Sequence, residues 1–221
     1  MLMPDGMTFD ELNALYNAEH ENNMRSMPYS QYFGEMDITA EQKERRRESA
    51  EKLEEIFIFL LALVFYFEQD GTGDYLEAMA AAQEQYQALV EETPGLEVSD
   101  YFKSIHIPDA VNSVVETMLA HPENAFNFTI DRAMLIAENE ANSMWNDAEF
   151  EEAVKSGKTT KTWHTIIDKR TRDWHADVNG ETIPIMEPFV VNGELMNHPR
   201  DDTLGATAEN IANCRCSVTY R

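Results

Sequence analysis

An α+β fold, with a mainly helical N-terminal region followed by a small C-terminal α+β module on a short antiparallel sheet, is predicted by three observations. Apolar residues recur at helical spacing, between recognisable caps, as far as Gly157. Beyond it, Thr159 to Ile167 is dense in β-branched residues, which suit a pleated strand. Asn179-Gly180 and Asn192-Gly193 then give two hairpin-turn signals, since these residue types accept the positive φ such turns require.

Leu12, Leu15 and Tyr16 predict a short amphipathic helix within Phe9 to Asn22. Met24 to Met36 carries Pro28 and Gly34 among aromatics and reads as a packed loop. Thr39 and Gln42 form a capping box, each side chain satisfying a free amide of the first helical turn. The helix they open runs to about Gln69, where Gly71-Thr72-Gly73 stops it. Asp74 to Glu92, rich in alanine and glutamine, is a further helix closed by Thr93-Pro94-Gly95. Pro108 to Leu119 is shorter, with proline allowed in its first turn. Pro122 to Ser156 contains a long helix with Met134, Ile136, Ala137, Met144, Trp145 and Phe150 as apolar positions. Methionines on these helices read as adaptable core packing.

After the strand, Asp168 is expected to cap a short helix through His175. Phe189-Val190-Val191 and Leu195-Met196 flank the second Asn-Gly turn, Ala206 to Ala212 suits one or two helical turns, and Arg215 to Tyr220 reads as a closing strand. The expected division is an acidic helical region, 1–124, and a module, 125–221, whose long helix 125–157 precedes an α+β block 159–221. No fixed-period repeat is visible.

The formal net charge of −24 is unevenly placed. Met1 to Lys158 holds 10 Lys+Arg against 32 Asp+Glu, whereas Thr159 to Arg221 holds 7 against 9. An acidic surface repels phosphate backbones and anionic membranes, so direct sequence-specific nucleic-acid binding is not expected. The one basic run, Lys43 to Arg47, reads as a solvated helix face balanced by glutamates rather than as a patch for an acidic partner. Ile56 to Phe67 is apolar but shorter than the roughly 20 residues of a spanning helix and is flanked by Glu54, Glu55, Glu68 and Asp70. A helix buried in protein is expected, with no membrane association. The N-terminus lacks the basic and apolar segments of a signal peptide. Two cysteines one residue apart cannot staple a fold, so a reducing compartment is the default.

The chemistry-bearing residues cluster near the C-terminus. His175, Cys214 and Cys216, with His164 or His198 as a fourth ligand, are the residue types of a structural zinc site, although one-residue cysteine spacing is tighter than zinc sites usually show. Asp168, Arg170, Arg172 and His175 also admit a catalytic reading, a metal-dependent hydrolase or nuclease centred on Asp168, His175, Cys214 and Cys216. A near-neutral module offers no basic surface for DNA. The plainer account is an internal polar network in which Arg170 or Arg172 pairs with Asp168 and backbone carbonyls, orienting strand against helix.

The ordered series Trp163, Asp168, Arg170-Thr171-Arg172, His175, Gly180, Phe189, Gly193, Pro199, Asp201 and Asn213-Cys214-Arg215-Cys216 resembles the phage Mu F-like family of minor head proteins, also called head morphogenesis proteins. The resemblance spans roughly Ala125 to Tyr220. Ala137-Glu138-Asn139-Glu140 stands where that family's helix typically carries an Arg-Thr-Glu-like stretch, and the glycine often found after the proline is missing at Pro199. The resemblance implies a non-enzymatic, low-copy component of a tailed-phage head. It implies the portal protein and other head proteins as partners, and a role in head assembly or DNA handling. Its place would be the virion head near the portal, with host cytoplasm as the site of assembly.

Overall fold

The computed structural model describes residues 28–221 except 72 and 73, together with Thr8, Glu11 and Ala14; side chains at 69 and 70 are also outside the description. Apart from Glu11 and Ala14, the predicted helix between Phe9 and Asn22 lies outside the described residues, as does the Thr72-Gly73 part of the helix stop. The chain order is α1 (Tyr29–Tyr32), α2 (Ala40–Asp70), α3 (Tyr75–Glu92), a π-helical turn (Phe102–His106) into α4 (Ile107–Ala120), a 3-10 turn (Ala125–Phe128), α5 (Ile130–Lys155), β1 (Thr160–His164), α6 (Asp173–Asp177), β2 (Thr182–Pro184), β3 (Phe189–Val191), β4 (Glu194–Met196), α7 (Ala208–Ile211) and β5 (Ser217–Tyr220). The mainly helical N-terminal part followed by a small antiparallel sheet is the α+β architecture the sequence predicts. Two compact units are present, and each draws on separated stretches of chain.

The first unit comprises residues 1–27, 50–93 and 103–137. Its core is built from helical stripes: Phe57, Leu60, Leu61, Val64 and Phe65 on α2, Ala78, Ala82, Tyr86 and Val90 on α3, and Val111, Val115 and Met118 on α4. Each large apolar side chain removed from water in this way contributes about 1.5–3 kcal/mol. Asp74 caps α3, its carboxylate accepting from the amides of Leu76 and Glu77 at 2.9 and 3.3 Å. Half of the Ile56–Phe67 run, Ile56, Phe57, Leu60, Leu61, Val64 and Phe65, is buried in this protein core, and no described helix is long and apolar enough to cross a membrane.

The second unit comprises residues 28–49, 94–102 and 138–221. The Thr39 capping box forms as predicted: the Thr39 amide donates to Gln42 Oε1 at 2.9 Å and the Gln42 amide to Thr39 Oγ1 at 3.2 Å. At the far end of α5, Gly157 takes φ +76°, and the amides of Lys158 and Gly157 return to the carbonyls of Ala153 and Val154. This double closure satisfies carbonyls the helix would otherwise leave bare and turns the chain into β1. β1 is the central strand of an antiparallel sheet ordered β2-β1-β5, while β3 and β4 form a separate hairpin. Asn192 and Gly193 make its two-residue turn with φ +52° and +79°, the type I′ geometry whose twist matches the strands.

Several local expectations are corrected. The packed loop near Met24–Met36 includes the short helix α1, with Tyr29, Tyr32, Phe33 and Met36 buried. Asp168 caps a turn, not a helix: it accepts from the Arg170 amide at 2.8 Å, and α6 begins five residues later. Asn179-Gly180 joins α6 to β2 without forming a hairpin, the Gly180 amide donating to the Trp163 carbonyl at 2.8 Å. The Lys43–Arg47 run is not uniformly solvated, because Arg46 is fully buried.

Candidate functional site

The site lies in the second unit and starts from α5. Asn139, Asn142, Ser143, Asn146 and Asp147 recur at the helical period and are all buried. A buried polar stripe is stable only if its groups are hydrogen-bonded, and here each is. Asn142 accepts from Arg46 Nε at 3.2 Å and donates to the Cys214 carbonyl at 3.1 Å. Asn146 accepts from Arg46 at 3.1 Å and donates to the Pro199 carbonyl at 3.2 Å. Asn139 donates to Asn213 Oδ1 at 3.0 Å, a side chain presented by a residue in the left-handed region with φ +55°. Arg200, also left-handed at φ +68°, donates to Asn139, Ser143 and the Ile211 carbonyl. Asp147 accepts from the amide and hydroxyl of Ser99 at 2.6 and 2.8 Å.

The loop segments are held from their own side as well. Asp201 accepts from the amides of Asn197 and Thr203, closing the Pro199 turn. Arg215 places one nitrogen 2.6 and 2.7 Å from the two oxygens of Asp168 and another 3.1 Å from Glu35. Partial burial alone would raise the Asp168 carboxyl; the bonds from Arg215 and the Arg170 amide outweigh it and hold the group below the usual range. Asp168 therefore pairs with Arg215, not with Arg170 or Arg172. Arg172 donates to the Ala212 carbonyl at 2.6 Å, and Arg170 is exposed.

Beneath this network sits the module's core, Trp163, Phe189, Val191, Met196, Cys214, Cys216 and Val218 among its members. Trp163 stands edge-on to His175 and Phe189 with centroids 5.9 and 5.1 Å apart, and its indole donates to Thr165 at 2.9 Å. His175 Nδ1 lies 3.5 Å from the sulfurs of both Cys214 and Cys216. The hydrogen bond between the thiols, with His175 beside them, holds Cys214 down, while burial pushes Cys216 up. His164 and His198 are placed elsewhere: His164 bonds Thr219 at 2.8 Å and Asp37 at 3.1 Å, and His198 packs on Phe150. The cysteines precede β5, whose first residue is Ser217, so their convergence comes from a loop and not from strand alternation.

Sequence reasoning did not find Arg46, Asn142, Asn146 or Arg200. A signal was present in the asparagines spaced three and four apart on α5, which is a buried-face pattern written in amides rather than in aliphatics.

This arrangement defines a small α+β module clasped by the amide face of a helix, with a His-Cys-Cys cluster at its centre. Residues 97–219 match the family described as Phage Mu protein F like protein, and the chain belongs to that family. It is also 33% identical over 91 residues to an NAD(+)--arginine ADP-ribosyltransferase EFV of Enterococcus faecalis (strain ATCC 700802 / V583), covering 39% of this chain and 18% of that protein. The chain thus spans under a fifth of that relative's length. No solved structure matches the chain.

Proposed function

We propose that this protein is a minor head protein of a tailed phage, acting in head assembly or in DNA handling near the portal, with a structural and not a catalytic role. The family match over residues 97–219 carries this reading. The chemistry of the second unit supports it: Asp168, Arg172, Arg200 and Arg215 are each spent on bonds that tie loops together. The excess of acidic residues before Thr159 suits protein partners in the head, the portal among them, better than packaged DNA. The enzymatic name of the Enterococcus protein belongs to a chain of which this one covers 18% and is not carried over.

A second reading, a metal-dependent hydrolase or nuclease, draws on the convergence of His175, Cys214 and Cys216. It is weakened by Asp168, whose oxygens are engaged by Arg215. Quantitative mass spectrometry of purified procapsids and virions tests the first reading. A few to about a dozen copies per particle is the portal-linked stoichiometry expected of a closed ring assembly. Absence from both particles overturns it. Metal-stimulated turnover lost on His175→Ala, with the fold intact, would establish the second.

A further inference from the structure

His175 Nδ1 faces two sulfurs at once, 3.5 Å from each, and all three atoms are buried. One imidazole nitrogen has a single proton or a single lone pair to offer, so it can bond only one thiol at a time. The other ring nitrogen, Nε2, is buried with no hydrogen-bond partner, so the ring's polar contacts are all on its Nδ1 side. With zinc–sulfur at about 2.3 Å and zinc–nitrogen at about 2.0–2.1 Å, tetrahedral coordination separates sulfur from nitrogen by about 3.5 Å. That is the spacing seen twice here.

We propose that His175 Nδ1, Cys214 Sγ and Cys216 Sγ bind one zinc ion, with water in the fourth position. No other His, Cys, Asp or Glu among the described residues joins the group. A cavity of about 20 Å³ adjoins it, bounded by Arg170, Arg172 and Thr171 as well as by the three ligands, and that volume holds about one water. The ligand backbone is fixed in advance: the Cys214 carbonyl accepts from Asn142 at 3.1 Å and from Tyr32 at 3.4 Å. Thr165 Oγ1 donates to the His175 carbonyl at 2.7 Å, so a neighbouring hydroxyl steadies that ligand's backbone. Zinc here would join α6 to the segment before β5 through a bond that neither packing nor hydrogen bonding supplies. The inference stands on these atoms and holds whether or not the protein is a head component.

The test uses the full chain, purified in reductant, stripped with chelator, reloaded with zinc and freed of excess metal. About one zinc per chain is expected, with His175→Ala and Cys216→Ser each falling below about a tenth. His164→Ala and His198→Ala should retain the full amount. Cobalt(II) added to the stripped, unaltered chain should give a thiolate-to-cobalt charge-transfer band that zinc abolishes, a readout independent of any variant's folding. Absence of both bound zinc and that band in the unaltered chain overturns the proposal. So does undiminished zinc in Cys216→Ser, or loss of zinc in a folded His164→Ala or His198→Ala.

Discussion

Arg46 on α2 and Glu149 on α5 form a two-pronged ion pair, 2.8 Å from each terminal guanidinium nitrogen to a different carboxylate oxygen, with Arg46 wholly buried. The same guanidinium also fills the acceptors of Asn142 and Asn146. Removing one partner of such a pair strands the other charge and costs about 3–5 kcal/mol. Arg46→Ala should lower the unfolding free energy by that amount in urea titrations. The double variant Arg46→Ala/Glu149→Ala should cost less than the sum of the singles, and additivity would show the two groups to be uncoupled.

The β3–β4 turn separates backbone strain from steric clash. A Cβ at Gly193 meets nothing within 4 Å, yet φ is +79°. Gly193→Ala should therefore cost about 1 kcal/mol through conformation alone. Gly34→Ala should cost more, because its Cβ would clash with the Ser30 carbonyl oxygen. Denaturant midpoints of the two variants check the order.

Glu138 is buried, with Oε2 lacking a hydrogen-bond partner. Burial raises its carboxyl to about 8, against the pull of Arg170, Arg215 and Arg200. The folded state thus holds a proton that the unfolded chain has released. The associated stability is complete below the ordinary value of 4.5 and is lost as pH rises to about 8. Glu138→Gln should flatten the stability profile across that window, and an unchanged slope would refute the assignment.

Lys161 gives the opposite sign at higher pH. Its ammonium donates to the Asn197 carbonyl at 2.7 Å and lies over the rings of Phe150 and Phe189. Burial pushes it down to about 8 from 10.5, opposed in part by Asp201. Here the unfolded chain binds the extra proton. Stability should rise as pH goes from about 8 to 10.5, and Lys161→Met should abolish that rise. Thermal melts across the interval decide it.

The sequence by itself determined where several of the elements begin and end. Thr39 with Gln42, Asp74, Gly157 and Asn192-Gly193 each act through backbone groups within about five residues of themselves, so their effect is legible without the rest of the chain. It also carried the family resemblance, read between Trp163 and Cys216, that the match over residues 97–219 bears out. Only the tertiary structure decided who meets whom. Local propensity marks Lys43–Arg47 as a charged helix face, and nothing within α2 shows that Arg46 turns inward to Glu149, about a hundred residues away. Asp168 could have met any nearby arginine, and Arg215 was set against it by the loop before β5. His175 came to face both cysteines, and not His164 or His198, for the same reason. Contacts across such separations depend on closing long loops and on filling one shared core, and those terms belong to the whole chain.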